Sequence, residues 1–351
     1  MRCVCYSLLG VLLGCGGTPV APAQPEARSP SVREDKWQIR DTRLLVRDVG
    51  PESAPTIVVI HGGPGGNHLS LRPLEALAPR FRVVFYDQRG TGESDRFRIS
   101  SEMPALDQLA MEENVEDLEA LRQRLGKDRI TLIGHSWGGS LAVFYAAAYP
   151  AHVEKLIVYS GGPEDLELSS QKRKAHLAKL NPEEQALAKT RIAELQKAAE
   201  QGSSQDVIDR LFLQVSEVMF ASLYCQRPAK ATAAQGRAGF WASQGVNQYI
   251  ATFDRAAFAS KLAAVKSPTL LTWGRCEPSP QERLTYLLDS LPNAQLVIFE
   301  TSGHNAMEEE PSLFLATLKA FLDGKTLPTR SFRTRAELGT PSASASRRAA
   351  P

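Results

Sequence analysis

The chain has 351 residues, 43% hydrophobic and 23% charged, the balance of a folded globular protein rather than a disordered or fibrous one. Its formal net charge is +2, and residues 325–351 alone carry Lys325, Arg330, Arg333, Arg335, Arg347 and Arg348 against Glu337, so the rest is slightly acidic and lacks the charge of a nucleic-acid binder. There is no run of about 18 apolar residues that could span a membrane, and the five cysteines make neither a disulfide scaffold nor a zinc pattern.

In chain order, residues 1–14 hold one early positive charge, Arg2, then an apolar run from Cys3 to Leu13 and Gly14, the profile of a secretory signal. Leu12-Leu13-Gly14-Cys15 resembles a bacterial lipobox. Cys15 is therefore the expected lipidation site. The expected location is the cell envelope, on the periplasmic side or outer membrane, with the cytoplasm as the alternative. Residues 15–36 are expected to form a Pro/Ala-rich tether.

From there, short Val/Ile-rich runs alternate with helical patterns, which predicts βαβ units and a mostly parallel sheet with helices on both faces. Strands are expected at Thr42–Val49, Thr56–His61, Arg82–Asp87, Arg129–Gly134, Val153–Ser160, Pro268–Trp273 and Gln295–Phe299. Ile57-Val58-Val59-Ile60 is apolar throughout, as in a strand covered on both faces. Apolar residues at 115, 118, 121 and 125 predict a helix over Val115–Leu125. The sheet rhythm breaks between Gly161 and Pro268. Asn181-Pro182-Glu183-Glu184 supplies a cap, a first-turn proline and an N3 glutamate ahead of a helix over Ala186–Ala199; another is expected over Asp206–Ala221. Residues 163–267 thus form a helical cap inserted into a core of residues 37–162 and 268–324, over the carboxyl ends of the strands. The basic tail, residues 325–351, is expected to be disordered.

Four segments carry chemistry. His61-Gly62-Gly63-Pro64-Gly65-Gly66 follows a buried strand and suits an oxyanion loop. Gly134-His135-Ser136-Trp137-Gly138-Gly139 joins a strand to a helix as a nucleophile elbow, with Ser136 at its apex. The expected oxyanion donors are the N–H groups of Gly63 and Trp137. The base must be a histidine that follows the serine in the chain. His304, in the loop after the last core strand, fits; His61 and His135 flank motif glycines, and His68, His152 and His176 read as surface or lid residues. Glu277, after Trp273-Gly274-Arg275-Cys276, stands where an orienting acid belongs.

With Asp87-Gln88-Arg89-Gly90-Thr91-Gly92-Glu93-Ser94, these motifs resemble the prolyl aminopeptidase (proline iminopeptidase) branch of the α/β-hydrolases, from about Trp37 to Leu322. The resemblance implies an α/β-hydrolase fold with a helical cap and a serine hydrolase that needs no cofactor or metal. Ser136 would be the nucleophile, His304 the base, Gly63 and Trp137 the oxyanion hole, and Asp87 a structural loop residue. Two departures stand out: glutamate replaces the branch's usual aspartate at Glu277, and the cap glutamates that bind a substrate amine have no match. The stretch Phe240-Trp241-Ala242-Ser243-Gln244 offers aromatics and amides instead, with Phe240 and Trp241 as candidate pocket walls. Release of N-terminal proline or small residues from peptides is the first reading. A carboxylesterase or lactonase acting on small esters is the alternative, and a non-catalytic binding protein ranks below both because nucleophile and base are intact. Expected partners are a small-molecule or short-peptide substrate, no nucleic acid, and a membrane only through the lipid anchor.

Overall fold

Buried β-branched runs build the centre of the molecule. In the computed structural model, which describes residues 31–97, 106–226, 236–278 and 281–338, the strands are β1 (Val32–Ile39), β2 (Thr42–Val49), β3 (Thr56–Ile60), β4 (Arg82–Tyr86), β5 (Ile130–His135), β6 (Val153–Tyr159), β7 (Thr269–Gly274), β8 (Ala294–Phe299) and β9 (Ser331–Phe332). They form one nine-stranded sheet in the order β1-β2-β4-β3-β5-β6-β7-β8-β9. The six strands from β4 to β8 in that order run parallel, and β1, β2 and β9 add antiparallel edges.

Period-two alternation divides each central strand between two cores. Val58, Ile60, Val84, Tyr86 and Leu132 face one apolar cluster, covered by α1 (Met111–Arg124), α2 (Trp137–Ala148) and α8 (Gln281–Ser290). Ile57, Val59, Val83, Phe85 and Ile133 face the other, covered by the 3₁₀ segment His68–Leu77, α9 (Ala306–Glu309) and α10 (Pro311–Leu322). Every position of β3 and β4 is buried, as their unbroken apolar runs require. The chain leaves β3 toward β4 on one side and returns to β5 on the other. That reversal opens a crevice at the carboxyl ends of β3 and β5.

The cap contains α3 (Leu166–Ala178), α4 (Pro182–Glu200), α5 (Gln205–Phe220), α6 (Phe240–Val246) and α7 (Arg255–Leu262). The capping box forms as the sequence requires: Glu184 N–H donates to Asn181 Oδ1 and Asn181 N–H to Glu184 Oε2, both at 2.9 Å.

Two boundaries differ from expectation. The tether ends sooner, because residues 32–36 already belong to β1. That strand is polar and exposed over most of its length; it is held by the ladder to β2 and by the ion pairs Arg33–Asp48 (2.8 Å) and Arg47–Glu34 (2.9 Å), as an edge strand is. The tail is not wholly disordered either. Phe332 buries its ring against the sheet, pairing with Leu296 of β8, and α11 (Arg335–Leu338) follows. One aromatic residue in a basic, small-residue segment is too weak a pattern to read as a strand. Residues 1–30, with the signal and Cys15, lie outside the described residues.

Candidate active site

Ser136 sits between β5 and α2 with φ 55° and ψ −120°, a strained backbone for a residue with a side chain. Its neighbours make the turn possible. A Cβ on Gly134 would overlap the carbonyl of Gly138, and one on Gly138 would overlap that of Ile60. The Ser136 N–H donates to Tyr159 O at 2.8 Å, fixing the turn to β6. The side chain is thereby lifted, half-buried, into the β3/β5 crevice. Trp137 opens α2, where a first-turn N–H has no intrahelical acceptor.

The loop after β3 folds over the elbow. A Cβ on Gly62 would lie 3.0 Å from Ser136 Cβ, so only glycine lets this backbone approach the serine. Gln88 ties the pieces together: its side-chain amide donates to His61 O at 2.8 Å, and its Oε1 accepts the Trp137 indole N–H at 2.9 Å. His61 Nε2 accepts the Gln88 N–H at 3.1 Å, which leaves Nδ1 to donate to Gly62 O at 3.0 Å. Burial lowers the His61 imidazole pKa, consistent with a neutral structural ring.

Across the crevice, His304 Nδ1 lies 2.7 Å from Glu277 Oε2, and the Glu277 side chain is fully buried. Burial pushes the Glu277 carboxyl up, but attraction and hydrogen bonding to His304, with help from His176 and Arg283, outweigh it and hold it below its ordinary value. A carboxylate at Nδ1 places the imidazole proton there and leaves Nε2 as the basic nitrogen. The His304 and His135 rings stand 5.0 Å apart. His135 is pulled down to about 3, by burial first and then by the His304 charge, so it stays neutral beside His304.

The sequence profile of the alpha/beta hydrolase fold matches residues 55–311. The chain belongs to the α/β-hydrolase fold family. Among α/β-hydrolases it is 31% identical over 274 residues to a proline iminopeptidase of Saccharolobus solfataricus, covering 76% of this chain and 84% of that one. Its fold matches a crystal structure of a proline iminopeptidase from Mycobacterium smegmatis with a TM-score of 0.57 at 22% identity, over 83% of this chain and 98% of that one. It matches an esterase from Exiguobacterium antarcticum with a TM-score of 0.62 at 19% identity, over 83% and 100%. The protein is a hydrolase of the proline iminopeptidase branch.

In this α/β-hydrolase the structure brings Ser136, the Gly63 loop, Trp137, His304 and Glu277 to one end of the sheet. Phe240 and Trp241 sit at the start of α6, their rings 5.0 Å apart and edge to face, in a cap cluster with Phe212. That cluster abuts the Gly-rich loop after β3, because Gly239 N–H donates to Gly65 O at 2.8 Å. His68 is not a surface or lid residue: it is buried, with Nδ1 2.8 Å from Asp87. His176 is on the cap but buried, 2.8 Å from Ser222 Oγ. Sequence reasoning missed Gln88, which sits inside a motif read only for its aspartate. It also missed the pairing of Cys225 with Cys276, whose Cα atoms lie 5.1 Å apart in a disulfide. No spacing rule links two cysteines 51 residues apart.

Proposed function

We propose that this hydrolase works through an acyl-enzyme intermediate, with Ser136 as nucleophile, His304 as base and Glu277 as the acid that orients it. The observation that carries this is the buried 2.7 Å His304–Glu277 pair facing the crevice of the strained elbow. His304 Nε2 takes the Ser136 proton as Oγ attacks the carbonyl carbon, and the oxyanion forms toward the N–H groups of Gly63 and Trp137. His304 then protonates the leaving group, and water, activated by the same imidazole, releases the acid and frees Ser136.

The substrate reading is an N-terminal prolyl or small aminoacyl amide, supported by the proline iminopeptidase relatives. The cap favours hydrolysis of small esters as a second reading. Three cap carboxylates that could meet an amine are occupied or exposed: Glu164 is buried but paired with Lys172, with Arg283 at 3.9 Å, and Glu167 and Glu217 face solvent. Asp209 is a further candidate. It is buried, its Oδ1 accepts the Phe240 N–H at 2.8 Å, and its Oδ2 is ion-paired with Arg96 at 3.5 Å but, like Glu164 Oε2, accepts no hydrogen bond. A panel of unblocked and N-acetylated prolyl arylamides with small aryl esters decides between the readings. Turnover of the unblocked amide alone, lost in Asp209→Asn, supports the aminopeptidase; turnover of esters only supports the esterase. Equal cleavage of blocked and unblocked amides contradicts both.

We further propose export and lipid anchoring through Cys15. A disulfide in the folded domain supports an oxidising compartment. Membrane fractionation and fatty-acid incorporation, both lost in Cys15→Ala, are the expected results in a Gram-negative host; unprocessed protein in the cytosol would refute this.

A further inference from the structure

Glu277 reaches His304 from a short turn after β7, whose backbone is tied on one side to the core. Cys276 N–H donates to Ser302 O at 2.9 Å and Glu277 N–H to Gly274 O at 3.1 Å. On the other side the turn is bonded covalently to the cap, through Cys276 to Cys225. Cys225 ends a cap strap, residues 222–225, that also grips the histidine loop. Leu223 O accepts the His304 N–H at 2.6 Å. Cys225 N–H donates to Glu309 Oε1 at 2.7 Å, and the other oxygen of that carboxylate accepts the Gly303 N–H at 2.6 Å. Tyr224 OH donates to Glu308 at 2.6 Å. Lys179, just past α3, bridges the strap and the acid turn, donating to Tyr224 O at 2.9 Å and Cys276 O at 3.1 Å.

One strap therefore touches both halves of the acid–base pair. We propose that the Cys225–Cys276 disulfide is a positioning element of the active site, setting the distance between Glu277 and His304 by locking the acid turn to the strap that holds the histidine backbone. The inference rests on Glu277 and His304 being the acid and base. Glutamate carries one more rotatable bond than aspartate, so more of its placement depends on the backbone that presents it. A fixed neighbour one residue earlier supplies that constraint.

The test compares oxidised protein, protein reduced by dithiothreitol, and the double variant Cys225→Ala/Cys276→Ala, with circular dichroism confirming the fold. In the reduction, a dithiothreitol thiolate attacks one sulfur and the second thiol closes the ring. Two electrons and two protons pass to Cys225 and Cys276, and the reagent leaves as its cyclic disulfide. The expected result is a kcat for an activated aryl ester lower by roughly 10–100-fold, with KM within about twofold, as for a small misplacement of a reacting group. In Glu277→Gln, reduction is expected to make no further difference, because the clasp acts through that carboxylate. The His304 Nδ1 proton should give a low-field resonance in the oxidised protein that is lost on reduction. This signal needs no substrate, so it reports the clasp even if the ester is not turned over, whereas failure of the oxidised enzyme to turn over any substrate counts against the hydrolase reading alone. Should the double variant not fold, reduction of the native chain carries the test. An unchanged kcat and proton resonance after complete reduction, or the same fold-loss in Glu277→Gln, would overturn the proposal.

Discussion

The core and the cap are built on different terms. In the core, β3 and β4 are buried at every position and the sheet has an apolar cluster on each face. In the cap, α5 buries only Ile208 and Asp209 of its 16 residues, and its apolar cluster centres on Leu195, Ala198 and Ile208. The residues proposed as nucleophile, oxyanion donors, base and acid all stand at the ends of core strands. The proposed aromatic walls, Phe240 and Trp241, and the candidate amine partner stand on the cap. Chemistry belongs to the part whose geometry is over-determined by packing, and substrate choice to the part where a few side chains can change without disturbing the sheet.

The largest expected effect lies in the core. Glu277→Gln keeps the shape of the side chain but presents the wrong hydrogen-bond partner to His304 Nδ1, and should lower kcat by roughly four orders of magnitude with the fold intact. Stopped assays on an activated ester, beside a thermal melt, measure both. Near-normal activity would move the acid elsewhere and dissolve the core's claim to the chemistry.

Packing sharpens the same contrast. Leu132, fully buried in β5, should cost about 2–5 kcal/mol when cut to alanine. Leu195→Ala, in the small cap cluster, should fall at or below the bottom of that range because the half-buried helices around it can close on the gap. Urea unfolding of the two variants compares them. Equal losses would mean the cap is as tightly determined as the core.

This contrast also explains what the sequence discloses. Ile57-Val58-Val59-Ile60 and Leu156-Ile157-Val158 show their strands because burial on both faces leaves no polar residue to blur the run. The elbow is legible because Gly134 and Gly138 stand where a Cβ would collide with backbone. His304 and Glu277 follow from chain order. β1 is hidden, since ion pairs and a backbone ladder rather than apolar pattern hold it. The His68–Asp87 pair and the Cys225–Cys276 bridge are hidden too, because each joins segments that only the folded chain brings together.

A cap histidine supplies a pH test. His176 is pulled down to about 4 from its ordinary 6.5, by burial first and then by His304. The unfolded chain therefore takes up the proton before the native one does. Stability linked to His176 is full above pH 6.5 and declines as the pH falls toward about 4, by up to ~1.4 kcal/mol per pH unit. Unfolding midpoints at pH 7, 5.5 and 4 should converge between the native protein and His176→Asn as the pH drops. A constant difference across that range would contradict the assignment. The smallest effect is expected at Asn181→Ala, which removes the capping box of α4 and should cost about 1 kcal/mol while leaving kcat unchanged.

The most direct test of the central claim is labelling by a fluorophosphonate, which reacts only with a serine activated in place by its base and oxyanion donors. Intact mass and peptide mapping of the treated protein should show one adduct, on Ser136, absent in Ser136→Ala together with all turnover. Labelling at another residue, or hydrolysis that survives in Ser136→Ala, would contradict the account.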